Sequence, residues 1–112
     1  MESNLILYTS NNGDVSIQVR YEDGTFWLSQ KRMAELFGVN VRTINEHLKN
    51  LYETSELQED RTSRKIRIVQ KEGKRDVERE VTFYHLDAII AVGYKVNSVE
   101  AVQFREWATT TL

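Results

Sequence analysis

The stretch from Trp27 to Leu51, WLSQKRMAELFGVNVRTINEHLKNL, constrains this chain more than any other. Its spacing predicts two short helices joined by a tight turn. Ser29 stands where an N-cap is needed, ahead of a run whose apolar side is Met33, Ala34, Leu36 and Phe37. Gly38 suits the end of that helix, because glycine takes a positive φ without steric cost. Asn40 is a second cap, and Val41, Ile44, Leu48 and Leu51 follow at helical spacing, which predicts one inward stripe. Arg42, Thr43, Glu46, Lys49 and Asn50 are left on the opposite face. A helix, a short turn containing glycine and a second helix with a polar outer face make a helix-turn-helix.

Many helical hairpins with glycine in the turn bind nothing, so the chemistry of the outer face matters. Arg, Thr, Lys and Asn bond base edges or phosphates. Glu46, in the middle of that face, repels phosphate but can accept a hydrogen bond from cytosine N4. A net charge of −2 over 112 residues looks wrong for a nucleic-acid binder until it is divided along the chain. Residues 61–79 hold Arg61, Arg64, Lys65, Arg67, Lys71, Lys74, Arg75 and Arg79 against only Glu72, Asp76 and Glu78. The other segments are acidic. Steering depends on where charge sits more than on its total.

That basic block lies in a predicted β-hairpin. Residues 64–71 and 77–84 are β-prone and flank the charged turn Glu72-Gly73-Lys74-Arg75-Asp76. Ile66 and Ile68 alternate with Lys65, Arg67 and Val69, and Val77, Val81 and Phe83 share a face of the second strand. Placed after a helix-turn-helix, such a hairpin reads as a wing lying along the DNA backbone. Ahead of the helices, residues 1–28 predict an antiparallel meander. Asn12-Gly13 and Asp23-Gly24 mark its turns, and Val15, Ile17, Val19 and Tyr21 supply one buried face. The polar stretch Tyr52 to Ser63 reads as a helix end and a loop.

The last third is helical. Leu86, Ala88, Ile89, Ile90 and Val92 predict a short buried helix stopped by Gly93. Asn97 and Glu100 have capping-box spacing and open a final helix with Ala101, Phe104, Trp107 and Ala108 on one side. This helix meets no stop signal before Leu112, which suggests a fragment of a longer protein. One domain is expected at this length.

The enzyme reading has little to work with. His47 and His85 lack metal-ligand spacing to other ligands, and His85 with Asp87 suits only a capping role. There is no cysteine, P-loop, GxGxxG or nucleophile elbow, so no enzyme, metal or cofactor is expected. No apolar run reaches the roughly 20 residues that span a bilayer, and Met1-Glu2-Ser3-Asn4 lacks a signal-peptide start, so a cytoplasmic protein is expected.

The C-terminal residues Gly93, Tyr94, Lys95, Val96, Asn97 and Ser98, followed by Phe104, Arg105, Trp107, Ala108 and Thr109, resemble the signature of the bacterial RhuM-type virulence family. Lys95 stands where that family usually has arginine, which keeps the charge. The segments YHLDAII and FWLSQKRMAELFGV also look like the family's N-terminal part. The family resembles phage and baculovirus antirepressor N-terminal domains in organisation, which implies a DNA-binding role and a further C-terminal region.

Together these features predict an α+β, winged helix-turn-helix-like domain with an N-terminal antiparallel β-meander, a basic hairpin wing and two C-terminal helices. Its expected function is binding double-stranded DNA in gene regulation. Arg42, Thr43, Glu46, Lys49 and Asn50 form the expected recognition face, with Lys49 on a phosphate. Gln30, Lys31, Arg64, Lys65, Arg67, Lys74 and Arg75 are the expected backbone contacts. A homodimer, with the exposed side of the last helix (Arg105, Glu106) as its interface, is a further expectation. The alternative is a protein-interaction module built on the same scaffold.

Overall fold

Two left-handed residues, Asp23 (φ 51°) and Gly24 (φ 79°), reverse the N-terminal segment on itself, as a two-residue hairpin turn requires. The computed structural model describes residues 4–111. In it the turn joins β2 (Ser16–Glu22) to β3 (Thr25–Ser29), and β1 (Asn4–Thr9) pairs antiparallel with the other side of β2. Residues 1–3 of the expected meander, and Leu112 of the last helix, lie outside the described residues.

The hairpin expected as a wing is part of the same sheet. It comprises β4 (Ser63–Glu72) and β5 (Arg75–His85), turning at Gly73 and Lys74, so the turn is shorter than the five residues the charges suggest. Gly73 takes a φ of 65°, and this lets the strands close at once. The sheet runs β1-β2-β3-β5-β4 with every pair antiparallel. β5 meets β3 only through Trp27↔His85, Leu28↔Tyr84 and Ser29↔Phe83. The distal hairpin therefore runs on without a third strand, as a wing does.

Helices cover one face of the sheet. They are α1 (Gln30–Phe37), α2 (Val41–Glu53), the single turn α3 (Glu59–Thr62), α4 (Leu86–Val96) and α5 (Ser98–Thr111). Tyr8, Ile17, Val19, Phe26 and Leu28 from the sheet are buried against Met33, Leu36, Phe37, Ile44, Leu48, Ile89, Val92 and Phe104 from the helices. Tyr8, Phe104 and Trp107 pack edge-on or tilted, with ring centroids 5.1–5.4 Å apart. Burial, and then the carboxylate of Glu100, push the Tyr8 hydroxyl up to about 12. Phe104 and Trp107 are thus core anchors. The stretch read as a loop after α2 contains α3, whose buried Thr62 hydroxyl meets the Tyr52 hydroxyl at 3.0 Å.

Gly93 does not stop a helix. α4 runs through it to Val96, and Gly93 is buried where α4 crosses α5 and the end of α1. A Cβ there would lie 2.6 Å from Phe37 Cζ and 2.7 Å from the Ala101 Cβ. The glycine is needed for close approach of helices, not for a left-handed turn. The chain instead turns at Asn97, whose Oδ1 accepts from the Glu100 amide (3.3 Å) and whose Nδ2 donates to the Phe37 carbonyl (3.1 Å). One side chain thus caps α5 and fixes the end of α1. The α+β, winged helix-turn-helix-like architecture expected from the sequence is present. Among the described residues no helix is long and apolar enough to cross a membrane.

Candidate nucleic-acid interface

Local bonds at three residues set the helix-turn-helix. Ser29 Oγ accepts from the Arg32 amide at 3.3 Å and starts α1. Gly38, at φ 70°, returns its amide to the Ala34 carbonyl and ends it. Asn40 Oδ1 accepts from both the Thr43 amide (2.8 Å) and the Thr43 hydroxyl (3.0 Å), starting α2. The Thr43 hydroxyl proton is therefore already committed to the cap, though its oxygen can still accept.

Ile44, Leu48 and Leu51 hold α2 on the core, while Arg42, Glu46, Lys49 and Asn50 are exposed. Arg42 Nε lies 3.8 Å from Glu46 Oε1, a surface pair that contributes little and yields readily to another partner. Val41, expected in the inward stripe, is 44% exposed. As the first residue of α2 it precedes the turn that meets the core, so its methyls face solvent. Apolar side chains at such a place can pack against a thymine methyl.

Asn45 is a second residue that the apolar-stripe reading passed over. It is exposed, and its Oδ1 accepts from Gln30 Nε2 at 3.2 Å. The same Gln30 nitrogen donates to the Tyr84 hydroxyl at 3.0 Å. Gln30 thus links the start of α1, the exposed side of α2 and the wing strand β5. Helical periodicity alone sets Asn45 beside Val41 and Lys49, so this signal was present in the sequence. Lys31 is exposed next to Gln30. Asn50 lies on another flank, in a shallow pit with His47, Thr54, Glu56 and Lys95.

The wing's charges are redistributed by strand register. Lys65, Arg67, Val69 and Lys71 share one face of β4, and opposite them β5 carries Glu80, Glu78 and Asp76. Lys65 Nζ sits 4.0 Å from Glu80 and Lys71 Nζ 3.8 Å from Asp76, while Arg79 forms a two-pronged bond to Glu72 at 2.8 Å. Arg64 departs most from its expected place on the backbone-contacting wing. Its Nη1 lies 2.9 Å from Glu22 Oε1 and 2.6 Å from Asp23 Oδ2, and its guanidinium stacks 4.0 Å over the Trp27 ring. The bond to Asp23, with help from Glu22, raises its pKa further and fixes its charge in the sheet. Lys74 and Arg75 at the tip, Arg67 on β4, and Lys31 and Lys49 on the helices are exposed without an ion-pair partner among the described residues.

His85 Nδ1 accepts from the Asp87 amide at 3.1 Å, the capping role its spacing suggested. Comparison with known proteins agrees with the architecture on both halves of the chain. Residues 17–55, which hold β2, β3, α1 and α2, match a Helix-turn-helix domain family. Residues 61–112, which hold the wing, α4 and α5, match the Virulence protein RhuM family. No curated protein and no solved structure matches. The chain is thus similar to the Virulence protein RhuM family over residues 61–112 and to a helix-turn-helix domain over residues 17–55, which together support a RhuM-type protein with an N-terminal helix-turn-helix.

Proposed function

We propose that this domain binds double-stranded DNA and serves transcriptional regulation in the bacterial cytoplasm. The observation that carries the reading is the capped helix-turn-helix, whose second helix turns Val41, Arg42, Asn45, Glu46 and Lys49 to solvent. In this reading α2 enters the major groove with its N-terminal residues toward the bases. Arg42 addresses a guanine, Val41 a thymine methyl, and Lys49 a phosphate. Thr43 and Asn50 flank the contact, and Lys31 meets the backbone at the start of α1. Lys74, Arg75 and Arg67 place the wing on the adjacent backbone. Arg64 and Gln30 hold the frame, and Lys65 stands 4.0 Å from Glu80.

The test is anisotropy of labelled random-sequence duplex DNA at about 50 and 200 mM salt. Binding through about five phosphates weakens by several hundredfold over that range. A second reading, a protein-docking module, is favoured by one feature: Glu46 at the centre of the α2 face. Affinity for a protein partner through apolar contacts would survive the added salt, and duplex DNA would then fail to bind at either concentration.

A further inference from the structure

The five-stranded sheet has two free edges, and they differ in kind. β4 presents Lys65, Arg67 and Lys71, so a second copy laid along it meets like charge. Such charges protect an edge. β1, Asn4–Thr9, is the other edge and carries no charge, proline or glycine in NLILYT. Leu5 and Leu7 point to the helix-free face and are 58% and 60% exposed. An uncharged edge with exposed leucines is a template for another strand.

We infer that this edge pairs with β1 of a second copy of the chain, making a continuous ten-stranded sheet across a two-fold axis. The strand suits itself as a partner. Antiparallel pairing centred on Ile6 sets Leu5 of each copy opposite Leu7 of the other, so all four leucines meet on one face. The pairing satisfies the outward main-chain groups of β1 and opposes no two charges. On the helix face, α5 lies at the same end of the sheet, since Gln103 Oε1 accepts from the amide of Asn11 just beyond β1 (3.4 Å). Its Val99, Val102, Gln103 and Glu106 form one stripe lining a shallow groove, with Val99 65% exposed. Arg105, by contrast, stacks on Tyr94 at 5.7 Å and points elsewhere.

The inference does not depend on DNA binding, and its test contains no DNA. Sedimentation equilibrium of the 112-residue chain, from micromolar to several hundred micromolar, should show a monomer passing to a dimer. The double variant Leu5→Lys/Leu7→Lys should remain monomeric with an unchanged circular dichroism spectrum, because both side chains are exposed in the monomer. The register is read separately, using the absence of native cysteine. Leu5→Cys mixed with Leu7→Cys should cross-link under mild oxidation, whereas each alone should cross-link far less. A wild-type chain that stays monomeric throughout overturns the inference. So does a dimer that persists in the double lysine variant, or one that Val99→Lys abolishes while the lysine pair does not.

Discussion

The helix-turn-helix and the wing both look like DNA-contacting elements, yet they are built on opposite terms. In the helix-turn-helix the polar outer face exists because the inner face is locked down. Ile44, Leu48 and Leu51 are buried, and what remains faces water by helical geometry. In the wing neither face is deeply buried, and its charges are set by which residues the register brings opposite one another. Three acids on β5 face the basic side of β4. Charge read from a helix survives folding nearly unaltered, whereas charge read from a single strand must be discounted by its neighbour. A run of bases in a hairpin is half of a pair.

The largest test of this contrast is stability. Leu48→Ala should cost about 2–5 kcal/mol in chemical denaturation, because it opens a cavity beneath α2. Val69→Ala on the exposed wing strand should change stability by no more than about 0.5 kcal/mol. Equal losses at the two sites would mean that the wing is as firmly packed as the helices. Gly93→Ala belongs with the helix core. It drives a methyl into Phe37 and Ala101, and about 1–3 kcal/mol should be lost.

Binding separates the regions next. Under the proposed function Arg42→Ala should reduce preference for the selected DNA site by about 1–3 kcal/mol, with nonspecific affinity changing less. Lys74→Ala/Arg75→Ala should instead weaken all sequences alike and flatten the slope of log affinity against log salt by about 2. If the two variants behave identically, the division between reading helix and anchoring wing is wrong. The smallest effect should come from Lys65→Ala, since the Glu80 carboxylate 4.0 Å away repels the phosphate that Lys65 would meet. Glu80→Gln sharpens the point. Titration at low salt should show tighter nonspecific binding as Lys65 loses its partner and the acid opposite Arg67 is neutralised, and an unchanged affinity would mean the wing face stays off the DNA.

Much of the architecture was legible because it is local. Ser29, Gly38 and Asn40 act on backbone groups within four residues of themselves, so their roles can be read one turn at a time. The same holds for the turn at Asp23-Gly24 and the alternation of Ile17 and Val19 with polar residues. Legibility failed where a residue's partner lies far along the chain. Gly93 looked like a stop because its close neighbour Phe37 is more than fifty residues away. Val41 misled for a different reason. Helical spacing says which residues share a stripe, but not where along the stripe the core begins.

The sequence by itself determined both ends of α1, the start of α2, the Asp23-Gly24 turn, the inward stripe from Ile44 onward and the identity of the polar face, because these follow from periodicity and capping within a few residues. It also carried the family resemblance that the comparisons bear out on the second half of the chain. Only the tertiary structure decided that meander and wing form one sheet, that Arg64 belongs to Glu22, Asp23 and Trp27, and that Gln30 ties Asn45 to Tyr84. It alone identified β1 and β4 as the two edges, one uncharged and one guarded. Strand order and register join residues tens of positions apart, and no local preference encodes which strand lies beside which.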